Sequence, residues 1–147
     1  MNISILRKLN LTGVEIKEGE IILQEGLSGS KVYVLLRGAV KITSGSHLIA
    51  KEENEGSILG ELSALLGTNY VATVTTTKDS RFYVIENFIE FLKEYPDVAV
   101  NVSQTLAYRL VYMNEHFVEV RNKISGINEE LSGYLPVFSR KNSVLHD

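Results

Sequence analysis

The sequence predicts a mainly β domain followed by carboxy-terminal helices. Residues 14–86 consist of short runs rich in β-branched and aromatic side chains, separated by Gly, Ser and Asn clusters at close intervals. That spacing is typical of an all-β barrel or sandwich. From residue 87 onward the pattern becomes helical, in a chain of 147 residues that fits one domain. We therefore expect a single domain over 1–147, with a helical region at 87–131 and a tail at 134–147.

Six strands are predicted in the β region, each bounded by turn-forming residues. They span residues 20–23, 31–37, 39–43, 47–53, 71–76 and 81–86. The segment 58–67 interrupts them, because it is rich in Leu and Ala and lacks β-branched alternation after Ile58. It is predicted to form one or two helical turns that end at Gly67. Three other glycines are expected to occupy turns with unusual backbone angles, namely Gly26, Gly29 and Gly38.

Two helices are predicted after the strands. Asn87 is expected to cap the first helix, which ends at Tyr95 because the residue before Pro96 disfavours helical angles. Pro96 and Asp97 suit the start of a longer second helix. Along it, apolar residues recur at alternating spacings of 4 and 3 and form a heptad seam: Leu106, Leu110, Met113, Phe117, Val120, Ile124 and Ile127.

The seam has two interpretations. It lies on the β region, or it also pairs with a second copy in a homodimer, and the heptad spacing favours the homodimer. Gly133 and Pro136 are expected to end the helix.

Composition excludes several classes of chemistry. The chain has no cysteine, which removes disulfides, thiolate metal sites and cysteine nucleophiles. A net charge of -3 argues against a broad nucleic-acid surface. The three histidines show no metal-site spacing, so no metal is expected. Because no apolar run is long enough to span a membrane and the first residues do not form a secretory signal, we expect a cytoplasmic protein.

The segment 59–74 carries the chemistry that the sequence offers. A helical turn that starts at Gly60 presents the backbone N–H groups of Glu61, Leu62 and Ser63, which form an anion site together with the helix dipole. Gly60 lets the anion approach closely, and Ser63 adds a hydroxyl. The carboxylate of Glu61 suits a sugar hydroxyl beside that anion. The combination indicates a ribose phosphate.

These residues, in this order, resemble the cyclic nucleotide-binding domain family of catabolite-activator-type regulators, protein kinase regulatory subunits and gated channels. The resemblance covers residues 14 to about 125 and rests on Glu25-Gly26, Gly29, Tyr33, Gly38, Gly60-Glu61-Leu62 and Ala72-Thr73-Val74, followed by two helices. It implies an eight-stranded jelly-roll β-barrel over 14–86, a phosphate-binding cassette at 59–74 and a long dimerisation helix that closes over the base.

The resemblance also implies roles for single residues. The amides of Gly60, Leu62 and Ser63 are expected to hold the cyclic phosphate, and Glu61 the ribose 2'-hydroxyl. The family typically places an arginine eight residues after the Glu-Leu pair, where this chain has Tyr70. Tyr70 is either a ligand contact or an aromatic at the edge of the barrel. The remaining expected ligand contacts are Val71 and Ala72 in the cassette and Arg109, Met113 and Asn114 on the long helix.

The sequence therefore predicts a non-enzymatic regulatory domain that binds cAMP or cGMP, needs no obligatory cofactor and signals by rearranging its helices. Its output would lie in a partner protein or in a longer parent chain, since about twenty residues after Ile127 leave no room for a DNA-binding domain. The alternative is a degenerate domain that has lost nucleotide binding and serves in dimerisation or docking. A metal enzyme of the cupin class is disfavoured, because His47 alone in the β region cannot supply its histidine cluster.

Overall fold

The computed structural model describes residues 1–124, apart from the side chain of Asn122. The chain divides into two compact units, Met1–Val102 and Ser103–Asp147. Within the described residues the elements follow the order α1 (Ile3–Arg7), β1 (Gly13–Ile16), β2 (Ile21–Leu23), β3 (Val32–Arg37), β4 (Val40–Ser44), β5 (His47–Glu52), β6 (Ile58–Leu59), α2 (Glu61–Leu66), β7 (Thr73–Thr76), β8 (Ser80–Ile85), α3 (Phe88–Glu94) and α4 (Pro96–Lys123).

The eight strands form two antiparallel four-stranded sheets. One sheet has the order β1-β8-β3-β6 and the other has the order β2-β7-β4-β5. Side chains from both sheets share one core cluster, which contains Leu23, Leu35, Val40, Leu59, Tyr70, Val74 and Phe82. The predicted mainly β architecture with carboxy-terminal helices is confirmed, in the form of a jelly-roll sandwich of two sheets.

Three elements were not placed on the sequence, although the family resemblance implied eight strands in all. They are the short helix α1 and the strands β1 and β6. The prediction that Ile58 belongs to a helical segment was wrong, because Ile58 and Leu59 pair with Val34 and Tyr33 of β3. Such pairing joins residues about 25 positions apart, so local propensity does not reveal it. The six predicted strands are present with shifted ends, the largest shift being at β7, which begins at Thr73 instead of at residue 71.

The helix boundaries predicted at Gly67, Tyr95 and Pro96 agree closely with the structure. Gly67 ends α2 in the left-handed conformation, with φ of 65°. Tyr95 follows α3 and Pro96 begins α4, as predicted. The side chain of Asn87 makes no capping hydrogen bond, contrary to the prediction, although its carbonyl accepts one from Phe91 N at 3.0 Å.

The predicted heptad seam runs along α4 and one position past the end of this helix at Lys123. Its members Leu106, Leu110, Met113, Phe117 and Val120 lie on α4, Ile124 directly follows it, and all six retain some solvent exposure. Ile127 and the predicted helix end at Gly133 and Pro136 lie outside the described residues.

Candidate functional site

A glycine opens the short helix α2 in the predicted cassette. Gly60 has φ of 88°, the left-handed region that favours glycine. A Cβ atom at this position would lie 2.9 Å from the carbonyl oxygen of Lys31 and 3.0 Å from Cδ1 of Leu23. Backbone conformation and space therefore both require glycine here. The first N–H groups of an α-helix have no acceptor within the helix itself, so this turn offers backbone donors beside the glycine.

The residues of the first turn differ sharply in exposure. Glu61 is 3% exposed and Ser63 is 2% exposed, whereas Leu62 points to solvent. The positive end of the helix dipole favours a carboxylate in this turn. The cassette therefore combines backbone donors with one buried acid, which is the donor and acceptor pattern that a phosphate beside a sugar hydroxyl needs.

Tyr70, in the second half of the cassette, is held by the loop between β2 and β3. Its side chain is 8% exposed and belongs to the core cluster. Its hydroxyl accepts a hydrogen bond from Lys31 N at 3.1 Å and donates one to the Lys31 carbonyl at 3.2 Å. Its backbone accepts from Gly26 N at 2.9 Å and donates to the carbonyl of Leu27 at 3.0 Å. Tyr70 thus clamps the 26–31 loop to the cassette.

Gly29 lies directly against the side chain of Tyr70. It is not among the glycines with positive φ, whereas Gly26 and Gly38 have φ of 82° and 104°. The expectation of an unusual backbone angle at Gly29 was therefore wrong. A Cβ at Gly29 would collide with the Tyr70 hydroxyl and lie 2.5 Å from its Cε2 atom. Gly29 is needed because the ring of Tyr70 fills the space beside it, a reason that no local sequence signal carries.

The same loop is fixed at two further points. The Glu25 carboxylate accepts hydrogen bonds from Gly45 N and Ser44 Oγ, each at 2.8 Å, and these bonds lower its pKa below the ordinary carboxyl value. At the other end, Lys31 Nζ lies 3.1 Å from Glu86 Oε1, and this contact raises the pKa of Lys31. The loop beside the cassette is therefore ordered by contacts within the protein.

A cavity of about 570 Å³ opens beside this loop. Gly29, Lys31, Tyr33, Tyr70 and Glu86 are among its lining residues. Partial burial raises the pKa of the Tyr33 hydroxyl. Residues 60–63 do not line the cavity, so the cassette amides and this cavity are separate features that meet at Tyr70.

The other expected ligand contacts are more scattered. Val71 is exposed and Ala72 is half-buried, both directly before β7. Arg109, Met113 and Asn114 lie on α4 in the second compact unit, so their contact with the cassette stays a prediction. Among residues 1–124 no group of three His, Cys, Asp or Glu side chains is arranged to hold a metal ion. In the same part of the chain, none of the helices has the length and apolar character needed to cross a membrane.

The fold and the cassette define a class of domain: an antiparallel jelly-roll sandwich in which a glycine-started helical turn joins β6 to β7 and two helices follow the last strand. Sequence comparison then identifies the family. The profile of the cyclic nucleotide-binding domain family matches residues 13–95. The chain belongs to this family.

Individual relatives agree with this assignment. The potassium/sodium hyperpolarization-activated cyclic nucleotide-gated channel 2 of Mus musculus is 32% identical over 80 residues, which cover 53% of this chain and 9% of the channel. The solved catabolite activator protein of Thermus thermophilus superposes with a TM-score of 0.66 at 20% identity, covering 78% of this chain and 57% of that one. A solved PKAR CBD2 bound to Sp-2Cl-cAMPS gives a TM-score of 0.56 at 19% identity, covering 76% of this chain and 84% of that one.

The curated relatives are much longer than this chain. The chain spans between 7% and 10% of the length of the curated relatives it matches. The structural similarities, at 19–20% identity, establish the jelly-roll fold with its long carboxy-terminal helix.

Proposed function

We propose that the protein is a non-enzymatic regulatory domain that binds a cyclic nucleotide, cAMP or cGMP, at the cassette. The observation that carries this proposal is the start of α2, where a left-handed Gly60 is followed at once by the buried Glu61. Family membership and the structural similarity to a cAMP-analogue complex support it. No obligatory cofactor enters the proposal.

In the proposed complex, the amides of Gly60, Leu62 and Ser63 bind the cyclic phosphate. Only a residue without Cβ fits at the first of these positions, where Lys31 O and Leu23 Cδ1 lie close. The carboxylate of Glu61 accepts the ribose hydroxyl. Val71 and Ala72 flank the ligand where the cassette leads into β7.

Tyr70 has a different role in this proposal from that of the family arginine. Its hydroxyl already donates to the Lys31 carbonyl and cannot give the same proton to a phosphate. We therefore assign Tyr70 as a positioning residue that holds the 26–31 loop against the cassette. Because the family arginine is absent, affinity is expected to be lower than in an arginine-containing cassette by roughly 30-fold to several thousand-fold.

Signalling in this proposal passes through the helices after Asn87. Arg109, Met113 and Asn114 contact the base, and ligand shifts the population between helix arrangements that differ in affinity for it. The output is a homodimer through the seam on α4 or an effector protein in the cytoplasm. The partial exposure of the whole seam supports this use of the helix.

Direct titration tests the proposal. Thermal shift and calorimetry with cAMP and with cGMP should give one saturable site, and ligand at 100 times its Kd should stabilise the fold by about 2.7 kcal/mol. Glu61→Ala and Gly60→Asp should abolish the shift. Glu18→Ala, the same change on the exposed loop after β1, is the matched control and should bind like the wild type. Unchanged affinity in the two cassette variants would overturn the proposed site.

A second candidate is a degenerate domain that acts in dimerisation or docking. The Tyr70 clamp favours it, because the loop is ordered from within the protein and the cassette has no charged partner at that position. This candidate predicts no stabilisation by nucleotide at millimolar concentration. It also predicts that Phe117→Asp disrupts an oligomer in analytical ultracentrifugation, whereas Val118→Asp, one residue off the seam, does not. Saturable stabilisation by nucleotide would argue against this second candidate, and a monomeric wild-type protein would exclude its dimerisation form.

A further inference from the structure

We propose a second ligand site, separate from the cassette, in which Arg7, Arg37 and Arg81 bind the phosphate group of a small phosphorylated molecule. A cavity of about 390 Å³ lies at these residues. Its lining comprises Arg7, Leu11, Gly13, Leu36, Arg37, Glu55, Arg81 and Tyr83. The volume is within the range of roughly 300–1,000 Å³ found for small-molecule sites. All of these residues belong to the first compact unit.

The β-sheet brings two of the arginines together. Arg81 on β8 is the register partner of Glu15 on β1 and also of Arg37 on β3. Like charges directly opposite each other on neighbouring strands are destabilising. The sheet therefore concentrates positive charge at one point of an otherwise acidic protein, whose net charge is -3.

One carboxylate oxygen of Glu15 lies close to both of these arginines. Oε1 of Glu15 lies 2.9 Å from Nη2 of Arg37 and 3.7 Å from Nε of Arg81. Arg7 and Glu55, which both line the cavity, form an ion pair with each other. All five side chains are substantially exposed, and ion pairs of this kind contribute little to stability. An incoming anion can therefore replace the glutamates at low cost.

A glycine opens the space that the guanidinium of Arg81 occupies. A Cβ at Gly13 would collide with Nε of Arg81 and lie 3.0 Å from its Nη2. Gly13 is not among the glycines with positive φ, so backbone conformation does not explain it. Because Gly13 has no side chain, the guanidinium of Arg81 can lie beside strand β1 at the cavity.

The donor set indicates the chemistry of the ligand. Three planar guanidinium groups present paired N–H donors, which match a tetrahedral phosphate with two negative charges better than a single carboxylate. The hydroxyl of Tyr83 adds a neutral donor, and Leu11 and Leu36 offer apolar contact to the remainder of a small molecule. The class of ligand is therefore a phosphate monoester with an apolar or neutral organic part.

An NMR titration tests this site with inorganic phosphate as the probe. At constant ionic strength, the arginine Nε–H signals of Arg37 and Arg81 and the amide of Gly13 should shift saturably. Arg81→Ala should weaken phosphate binding about tenfold. Glu15→Gln should strengthen it, because it removes the competing carboxylate. Lys51→Ala is the matched control, since Lys51 faces Lys41 across β4 and β5 and the change also removes one positive charge.

Two further arms separate this site from other anion binding. Glu61→Ala should leave phosphate binding at the arginines unchanged, so failure of the cassette proposal and failure of this one are distinguishable. Acetate at equal ionic strength should bind much more weakly than phosphate. Equal weakening by Lys51→Ala and Arg81→Ala, or equal binding of acetate and phosphate, would overturn the proposal. Shifts confined to the amides of residues 60–63 would overturn it as well.

Discussion

Replacing Tyr70 by phenylalanine tests whether its hydroxyl holds the loop between β2 and β3. The hydroxyl makes two hydrogen bonds to the backbone of Lys31, at 3.1 Å and 3.2 Å. Each contributes about 0.5–1.5 kcal/mol net, so loss of both should lower the free energy of unfolding by about 1–3 kcal/mol. For a domain of this size, that corresponds to a drop in Tm of roughly 2–12 °C. The aromatic ring remains in the core, so no large cavity adds to this cost.

Urea denaturation followed by far-UV circular dichroism measures the change, with the slope of the transition expected to stay the same. Tyr108→Phe is the matched control, because Tyr108 is 77% exposed and its variant should change the free energy of unfolding by less than about 0.5 kcal/mol. Calorimetry with cAMP should give the wild-type affinity for Tyr108→Phe, whereas Tyr70→Phe should weaken binding because the loop is no longer held against the cassette. Wild-type stability in Tyr70→Phe would refute the clamp, and lost cAMP affinity at unchanged stability would place the hydroxyl at the ligand.

Three further predictions concern the loop and the cassette. Gly29→Ala places a Cβ 2.5 Å from Cε2 of Tyr70 and should lower the free energy of unfolding by about 1–3 kcal/mol. In a Tyr70→Ala background the same change should lower it clearly less, so additive losses in a double-mutant cycle measured by urea denaturation would contradict the contact. Gly60→Ala forces alanine to φ of 88° and places its Cβ 2.9 Å from the carbonyl oxygen of Lys31. Backbone strain alone should cost about 1–2 kcal/mol by the same assay and the close contact should add to it, so an unchanged midpoint would count against both arguments. Ser44→Ala removes one hydrogen bond to the Glu25 carboxylate, so the pKa of Glu25 should rise towards its ordinary value in a carbon-detected NMR titration. Because folding lowers the pKa of Glu25, its contribution to stability is complete above the ordinary carboxyl range and is lost as pH falls through the folded-state pKa. In the variant this contribution should be smaller and should be lost at higher pH. An unchanged pKa of Glu25 would refute the assignment.

Local chemistry explains which parts of the fold were predictable. The break at Tyr95 follows from the restriction that Pro96 places on the residue before it. The end of α2 follows from the left-handed conformation that Gly67 adopts with little cost. Strands such as β3 follow from a run of β-branched and aromatic residues between turns. In each case the signal lies within a few residues of the structure it determines.

In the candidate site, too, the features carried by a short segment were predictable, and those that join distant residues were not. The amides after Gly60 and the acid at Glu61 were predictable, because one short segment carries both of them. The hold that Tyr70 exerts on Lys31 joins residues 39 positions apart. The role of Gly29 depends on the same ring, and the cluster of Arg37 and Arg81 depends on the register of β3 with β8.

By itself, the sequence determined the mainly β class, the helical turn between strands, the helix boundaries at Gly67, Tyr95 and Pro96, and the membership of the cyclic nucleotide-binding domain family. Those features depend on periodicity, turn residues and a short motif, which act over a few positions of the chain. Only the tertiary structure decided that Tyr70 closes a loop and that two arginines stand opposite each other. Such contacts depend on the pairing and packing of two sheets, and strand register is a property of the folded sandwich that no single segment encodes.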